Sequence, residues 1–259
     1  MFTFITGVSR GLGRGAAKVL AAQGRPLVLT ARSGDDAQQL ALELGAGHQA
    51  FALDVNDAAQ REALAKTLTE RRLALSCVLF NAAIYLRSST PEAALQTITT
   101  NFFAPLRLGE ALTPLLTDDA RLVLVSSSLG QLHGYSDAVR QRFLGAKRVA
   151  DLEALATEYL AATQAETTAT ASADAAERLG FARDPYCVSK ALINALAAVW
   201  ARDFPRRTAV SVSPGWVQTD MGGPGALLPL AEGVSRVVAA VTQPVRSGAF
   251  YQEGQPSER

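Results

Sequence analysis

The stretch FTFITGVSRGLGRGAAKVLAAQG (residues 2–24) places a glycine-rich turn between a short β-rich run and a helix-like segment. Gly7 permits a tight turn, and Gly11 and Gly13 let the backbone approach a bound group closely. Free N–H groups and the helix dipole favour an anion at the start of the following helix. This arrangement predicts a strand, turn and helix that hold the pyrophosphate of a nucleotide cofactor. The alternative is a plain turn between a strand and a helix.

The rest of the chain alternates between strand-like and helix-like segments. The strand-like runs are short and apolar without alternation, which is typical of strands buried on both faces of a parallel sheet. We therefore predict an α/β fold, a Rossmann-type doubly wound parallel sheet in a single domain over 1–259. Further strands are predicted at 26–31, 48–55, 74–83, 120–128 and 208–214, and helices at 11–24, 35–45, 57–72, 90–116 and 184–203.

The segment 131–183 interrupts this alternation and is predicted to be a helical insertion. It lacks the large apolar residues that a separate core would need, so it is not a second domain. The Ala- and Thr-rich stretch 163–177 has little apolar bulk and is predicted to be a mobile connection. Asp151 is the expected helix cap. Four apolar residues recur at helical spacing: Val149, Leu152, Leu155 and Tyr159.

Composition narrows the classes of function. The 259 residues are 48% hydrophobic with a net charge of +1, so no basic surface for nucleic acid is expected. No apolar stretch is long enough to span a bilayer, which predicts no membrane association. Two cysteines without a secretory signal indicate a reduced, cytoplasmic protein. Two histidines and no CxxC pair give no expectation of a metal site.

The end of the second predicted strand, TARS (30–33), bears on the choice of cofactor. NAD sites carry an acid in this region for the ribose 2′-hydroxyl, whereas an arginine accommodates a 2′-phosphate. Here Arg32 occupies the position, and no acid follows before Asp35. Arg10 in the glycine turn adds a second positive charge. A guanidinium can bind a phosphate in two places, so we predict NADP(H) rather than NAD.

The segment DPYCVSK (184–190) begins the helix-like run and places Tyr186 and Lys190 four residues apart. Residues at that spacing lie on one helix face, one turn apart. An isolated tyrosine has a pKa near 10, and a neighbouring cation favours the phenolate. The pair therefore suits proton transfer to or from a carbonyl oxygen, although the same spacing also occurs on ordinary helix surfaces.

With the other motifs this segment forms a set that resembles the short-chain dehydrogenase/reductase family. The set also includes FNAA (80–83), SSS (126–128), TNFFAP (100–105) and SPGWVQTDM (213–221), and it spans nearly the whole chain in the family's order. One departure is Ala83, where the family usually has glycine. The resemblance implies cofactor contacts from Gly7, Ser9, Arg10, Gly11, Leu12, Gly13, Arg32, Asp54, Asn81, Tyr186, Lys190, Pro214, Gly215, Val217 and Thr219.

The resemblance also implies the catalytic roles. Tyr186 is the acid or base, and Ser127, three residues before Gly130, holds the carbonyl oxygen. Ser126 and Ser128 remain alternatives for that serine. Lys190 lowers the Tyr186 pKa and binds the nicotinamide ribose, and Asn101 positions a water that links Lys190 to solvent. Candidate substrate contacts are His133, Trp216 and Met221.

A segment much longer than is usual for the family separates Ser127 from Tyr186, which resembles the carbonyl-reductase-like members. That resemblance implies a monomer that reduces a small ketone or aldehyde with NADPH, because the inserted helix covers the surface that relatives use to pair. Two other functions stay open. One is a non-catalytic NADP-binding regulator, and the other is an epimerase or dehydratase of the same fold.

Overall fold

An eight-stranded sheet lies at the centre of the computed structural model, which describes residues 1–258. The predicted strands are present, with ends that differ by a few residues from the predicted ones. The strands are β1 (Phe2–Thr6), β2 (Leu27–Ala31), β3 (Gln49–Ala52), β4 (Leu75–Phe80), β5 (Leu116–Val125), β6 (Thr208–Ser213), β7 (Phe250–Gln252) and β8 (Gln255–Ser257).

The strands lie in the order β3-β2-β1-β4-β5-β6-β7-β8, and only the β7–β8 pair is antiparallel. Residues of β2 are buried throughout, and β1 is buried after its first residue. The chain order reverses between β1 and β4, so the carboxyl ends of these strands open a crevice. This arrangement confirms the predicted Rossmann-type doubly wound sheet.

Helices cover both faces of the sheet. One core layer packs under α1, α2 and α10, and the other under α3, α4, α5, α9 and the inserted helices. Not one helix within residues 1–258 is both long and apolar enough to cross a membrane. The helices are α1 (Gly11–Ala22), α2 (Gly34–Leu44), α3 (Ala58–Glu70), α4 (Pro91–Ile98), α5 (Ala104–Leu112), α6 (Asp137–Gly145), α7 (Val149–Gln164), α8 (Ala169–Arg178), α9 (Pro185–Asp203) and α10 (Leu230–Thr242).

The helical segment predicted at 90–116 is not one regular helix. A π-helical turn over Thr99–Phe103 separates α4 from α5, and a 3₁₀ turn follows at Thr113–Leu115. Such turns inside helices often occur at functional sites. Asn101, a predicted site residue, lies in the π-helical turn, and a helical periodicity read from sequence does not reveal that local change of hydrogen bonding.

The insertion forms α6, α7 and α8, and α7 packs against both α4 and α9 as predicted. Leu152, Leu155 and Tyr159 are buried in the core, and Val149 packs against it. Asp151 does not cap α7 at its first position. It lies in the first turn, where its carboxylate accepts hydrogen bonds from the backbone N–H groups of Lys147 and Arg148.

The predicted connection at 163–177 was wrong, because most of it belongs to α8. Thr168 begins this helix by accepting a hydrogen bond from the Ala171 N–H at 3.2 Å. Ser172 and Ala176 are fully buried, and α8 packs on α7. Small side chains let two helices approach closely, and alanine has the highest helix propensity. Low apolar bulk therefore did not distinguish this helix from a loop.

Candidate active site

The glycine turn after β1 has the conformation expected of a close backbone approach. Gly7 and Gly11 have φ values of 72° and 56°, which L side chains rarely adopt. At Gly13 a Cβ would lie 2.3 Å from the Gly7 carbonyl oxygen and 2.5 Å from Asn81 Nδ2. Only glycine fits there, so α1 begins directly against the turn.

Asn81 connects the glycine turn to the end of β4. Its Nδ2 donates to the carbonyl oxygens of Thr6 at 2.9 Å and Gly7 at 3.1 Å. In return, Thr6 Oγ1 accepts from the backbone N–H groups of Asn81 and Ala82. These contacts hold the carboxyl ends of β1 and β4 together at the crevice. Asn81 therefore shapes the predicted cofactor site through the backbone.

The two predicted phosphate-reading arginines differ in their surroundings. Arg32 follows β2 directly and its side chain is exposed. Arg10 forms an ion pair with Asp220 at 2.7 Å, and both side chains are largely exposed. An exposed pair contributes about 0–1 kcal/mol, so an incoming phosphate can compete with Asp220 at little cost.

Asp54, another predicted cofactor contact, lies after β3 and accepts a hydrogen bond from the Asn56 N–H at 2.9 Å.

The loop that follows β6 lies over the glycine turn. A Cβ at Gly11 would approach Thr219 Cγ2 to 3.5 Å, and Leu12 lies near Val217 where both face Gly233. Gly215, with φ 91°, makes the bend after Pro214. These contacts bring the predicted residues of both segments to one crevice. Ser9, Trp216 and Met221 lie on the same two segments, and Trp216 is 56% exposed while Met221 is 38% exposed.

Tyr186 lies in the first turn of α9, with Ser127 and Lys190 as neighbours. The Ser127 side chain lies close enough to the Tyr186 hydroxyl to lower the pKa of that phenol, against the larger effect of burial. Lys190 is buried, donates from Nζ to the Val125 carbonyl oxygen at 2.8 Å, and lies 5.4 Å from the centre of the Tyr186 ring. The structure thus brings together three of the four predicted catalytic side chains at the end of β5.

Burial opposes the ionisation predicted for Tyr186. It raises the pKa of the Tyr186 phenol well above its usual range, and Ser127 only partly opposes that. Burial also lowers the Lys190 pKa to about 8, since desolvation penalises the charged form of each group. Without the cofactor the phenol is therefore protonated at neutral pH, and its ionisation beside an oxidised cofactor stays a prediction. Smaller contributions that raise the Tyr186 pKa come from Cys187, Tyr85 and Asp184.

The three consecutive serines have different partners. Ser126 is buried and its Oγ donates to the Lys190 carbonyl oxygen, while the Ser128 backbone N–H donates to Ser213 Oγ. Of the three, Ser127 is the one whose side chain acts on the Tyr186 hydroxyl, by lowering its pKa. The turn after it approaches α9 so closely that a Cβ at Gly130 would lie 2.6 Å from the Lys190 carbonyl carbon. Among the three serines, this geometry favours Ser127 as the one that would hold a carbonyl oxygen.

Asn101 lies deeper, between the loop after β4 and α9. Its Oδ1 accepts from the Ile84 N–H at 2.8 Å, and its Nδ2 donates to the Ile84 carbonyl oxygen at 2.9 Å and to Ser189 Oγ at 3.1 Å. The side chain is thus fully engaged in holding α9 against that loop. Its predicted link from Lys190 to solvent stays a prediction.

His133 lies elsewhere. It is exposed and lines a surface cavity of about 730 Å³ together with Arg140, Arg246 and Phe250. No member of the predicted catalytic set lines that cavity. His133 belongs to the 3₁₀ turn Leu132–Gly134 and faces this cavity beside Phe250 of β7, so its predicted contact with substrate stays a prediction.

Three residues near Tyr186 were not predicted from the sequence: Tyr85, Arg87 and Asp184. Tyr85 and Arg87 follow β4 by a few residues, and Asp184 precedes Pro185 at the start of α9. Two features of the sequence could have indicated these residues. Asp before Pro is a typical helix start, and residues just past a parallel strand lie at the crevice.

Comparison with known proteins agrees with this architecture. Over 96% of this chain and 98% of the other, the fold is similar to that of salutaridine reductase from Papaver somniferum, with a TM-score of 0.84 and 24% identity. In sequence, the chain is 28% identical to the (+)-neomenthol dehydrogenase of Arabidopsis thaliana, covering 99% of this chain and 97% of that protein. It is 29% identical to carbonyl reductase (NADPH) 3 of Homo sapiens, covering 90% and 88%.

The family whose pattern matches is described as short chain dehydrogenase, and it covers residues 2–139. That range includes the glycine turn, Asn81, Asn101 and Ser127, and it is more than half of the sequence. The full-length relatives extend the similarity across α9. On this match the chain belongs to the short-chain dehydrogenase/reductase family.

Proposed function

We propose that this protein is an NADPH-dependent reductase of small ketones or aldehydes. The observation that carries the proposal is the placement of Tyr186 beside the buried Lys190, with the Ser127 side chain close enough to lower the Tyr186 pKa. This group lies at the carboxyl edge of the sheet, next to the glycine turn, where doubly wound folds bind their ligands. The names of the human and plant relatives, a carbonyl reductase and a dehydrogenase, agree with this reaction class.

The residues present fit NADP(H). Gly7, Gly11 and Gly13 leave a cradle without side chains at the start of α1, where backbone N–H groups favour a pyrophosphate. Exposed Arg32 and the weakly paired Arg10 supply positive charge for a 2′-phosphate. Lys190 and the loop Pro214–Thr219 would hold the nicotinamide end. When bound, the cofactor supplies or accepts the hydride.

Two side chains, Ser127 and Tyr186, would bind the substrate carbonyl oxygen and supply its proton. Ser127 Oγ holds the substrate carbonyl oxygen, and Tyr186 donates its phenolic proton to that oxygen as the alcohol forms. The raised Tyr186 pKa keeps the phenol protonated at neutral pH, which suits reduction. Oxidation of an alcohol needs the phenolate, so that direction is favoured at higher pH.

A substrate panel tests the proposal. Ketones, aldehydes and quinones are mixed with NADPH and the purified protein, and loss of NADPH absorbance is followed. We expect turnover of at least one carbonyl class and a much slower reaction with NADH. Protein that binds NADPH but consumes none with any carbonyl would contradict the proposal and favour the non-catalytic regulator.

We also predict a monomer, because α7 covers the helices that carry the pairing surface in relatives without an insertion. Leu152, Leu155 and Tyr159 are buried against those helices, and Glu153 pairs with Arg107 of α5. On α4 the apolar side chain that stays exposed is Leu95, at 43%, which alone is too small a patch to drive association. Light scattering over a range of protein concentrations should give a constant mass near 27.3 kDa. A mass twice as large, with α4 or α5 protected from hydrogen exchange on association, would contradict this.

A further inference from the structure

A second tyrosine lies directly against the catalytic one. The rings of Tyr85 and Tyr186 have their centres 4.5 Å apart and are tilted by 31°. The Tyr85 hydroxyl donates to Asp184 Oδ2 at 3.1 Å. Tyr85 comes from the loop after β4, whereas Asp184 begins α9, so the bond joins two elements that meet at the active site.

Asp184 is held at both carboxylate oxygens. While Oδ2 accepts from Tyr85, Oδ1 accepts from the Tyr186 backbone N–H at 2.8 Å. Asp184 therefore caps the helix that carries Tyr186 and Lys190, and it places a negative charge within the first turn. A carboxylate beside a phenol disfavours loss of the phenolic proton.

We propose that Tyr85 and Asp184 are positioning residues for Tyr186. Asp184 orients the first turn of α9 and supplies the nearby negative charge. Tyr85 packs on the Tyr186 ring and, through its hydroxyl, partly neutralises that charge. The pair thus sets both the place of the Tyr186 phenol and the pH at which it exchanges its proton. This inference rests on the proposed role of Tyr186 as acid and base.

Tyr85 is itself held from the other side. The Arg87 guanidinium lies 4.9 Å from the centre of the Tyr85 ring and donates to the carbonyl oxygens of Met221 at 3.0 Å and Gly222 at 3.2 Å. Arg87 has φ 52°, an uncommon conformation for a residue with a side chain. Strained backbone of this kind clusters at functional sites. Tyr186, Tyr85 and Arg87 therefore form a stack that reaches the loop after β6.

The charges around Tyr186 indicate the direction in which Tyr85 and Asp184 shift its ionisation. Burial raises the Tyr85 pKa and Asp184 raises it further, so Tyr85 remains a hydrogen-bond donor across the working pH range. Asp184 likewise adds to the raised pKa of Tyr186, although burial, Cys187 and Tyr85 contribute more. The titratable and charged groups that face the Tyr186–Tyr85 stack are Asp184, Cys187 and Lys190 on α9, Tyr85 and Arg87 after β4, and the polar Ser127 after β5.

Two conservative variants should act in opposite directions. Asp184→Asn removes the charge and keeps an oxygen that can cap α9, because Asn and Asp are comparable caps. We expect Tyr186 to ionise at a lower pH, by a fraction of a pH unit. Tyr85→Phe keeps the ring and removes the donor, which leaves the carboxylate less neutralised. In that variant Tyr186 should ionise at a higher pH.

The test uses two readouts on the intact protein. One is a tyrosine ring-carbon NMR titration toward alkaline pH, which compares the extent of Tyr186 ionisation between variants at the highest pH at which circular dichroism shows the native fold. The Tyr186 signal is assigned by its loss in Tyr186→Phe. The other is the alcohol-oxidation rate as pH rises in the presence of NADP⁺, which at fixed pH should be a few-fold faster in Asp184→Asn. Matched controls are Asp57→Asn, which changes the cap of α3, and Tyr251→Phe in β7.

Opposite shifts in Asp184→Asn and Tyr85→Phe, with none in the controls, would support the proposal. Slower catalysis with unchanged titration of Tyr186 in both variants would overturn it, since that pattern describes a purely structural role. The NMR readout does not need turnover. If no carbonyl is reduced by the native protein while the Tyr186 signal shifts as expected, the reductase function fails and the positioning role stands.

Discussion

Tyr186→Phe should lower turnover by about a thousandfold or more while NADPH still binds. The substitution removes the one hydroxyl that can pass a proton to the carbonyl oxygen, and general acid catalysis contributes roughly 10²–10⁴ in rate. The ring remains to pack against Tyr85, at 4.5 Å between centres, and beside Lys190. The fold and the cofactor crevice are therefore retained. The measurements are steady-state reduction of the best substrate and NADPH binding by fluorescence titration.

Tyr159→Phe is the matched control for this change. Tyr159 is buried in α7 against Phe181, and its hydroxyl has no hydrogen-bond partner within residues 1–258. Loss of that hydroxyl should leave turnover near the native rate. Activity of Tyr186→Phe within tenfold of the native protein would contradict the acid role. Loss of NADPH binding in the same variant would instead show that the substitution disturbs the crevice.

Arg32→Asp should erase or reverse the preference for NADPH over NADH. A guanidinium bound to a phosphate contributes about 1.5–3 kcal/mol, and the substituted carboxylate also repels the phosphate. Each tenfold change in affinity corresponds to about 1.4 kcal/mol, so a loss of roughly a hundredfold or more in kcat/KM for NADPH follows. The NADH reaction should change little or improve, because a carboxylate can bind the ribose 2′-hydroxyl. The measurement is kcat/KM for both cofactors.

Arg206→Asp provides the control, since it makes the same change of charge on an exposed residue that pairs with Asp118 at the opposite end of the sheet. It should leave the cofactor ratio unchanged. If Arg32→Asp also leaves the ratio unchanged, another residue reads the 2′-phosphate. Arg10 is the next candidate, and Arg10→Ala then decides between them, because the Arg10–Asp220 pair leaves that guanidinium exposed.

The glycine turn shows what local sequence can establish. Gly7, Gly11 and Gly13 predicted a close backbone approach at the start of α1, and the structure shows it. The reason is that the steric limits on a residue with a side chain are local and apply whatever surrounds them. The strands could also be predicted from local sequence, since burial on both faces of a parallel sheet requires continuous apolar runs.

Two parts of the chain could not be predicted from local composition. The alanines of the Ala- and Thr-rich stretch favour a helix, but its low apolar bulk gave no sign that α8 would pack on α7 through small buried residues. The π-helical turn at Thr99–Phe103 changes how Asn101 is presented without any change in the apolar period. Local composition carries little information about either, because the stabilising contacts come from distant positions.

From the sequence alone the strand and helix segments, the glycine turn and the spacing of Tyr186 and Lys190 could be predicted, because backbone sterics, apolar period and residue spacing are properties of short stretches. The choice of Ser127 came from the resemblance to the family, which left Ser126 and Ser128 as alternatives. Only the tertiary structure decided which charges Tyr186 meets. Burial, the approach of Ser127 and the Asp184–Tyr85 pair arise because β5, the loop after β4 and α9 meet at one point. An electrostatic shift depends on distance and desolvation, and neither quantity exists until distant segments are packed together.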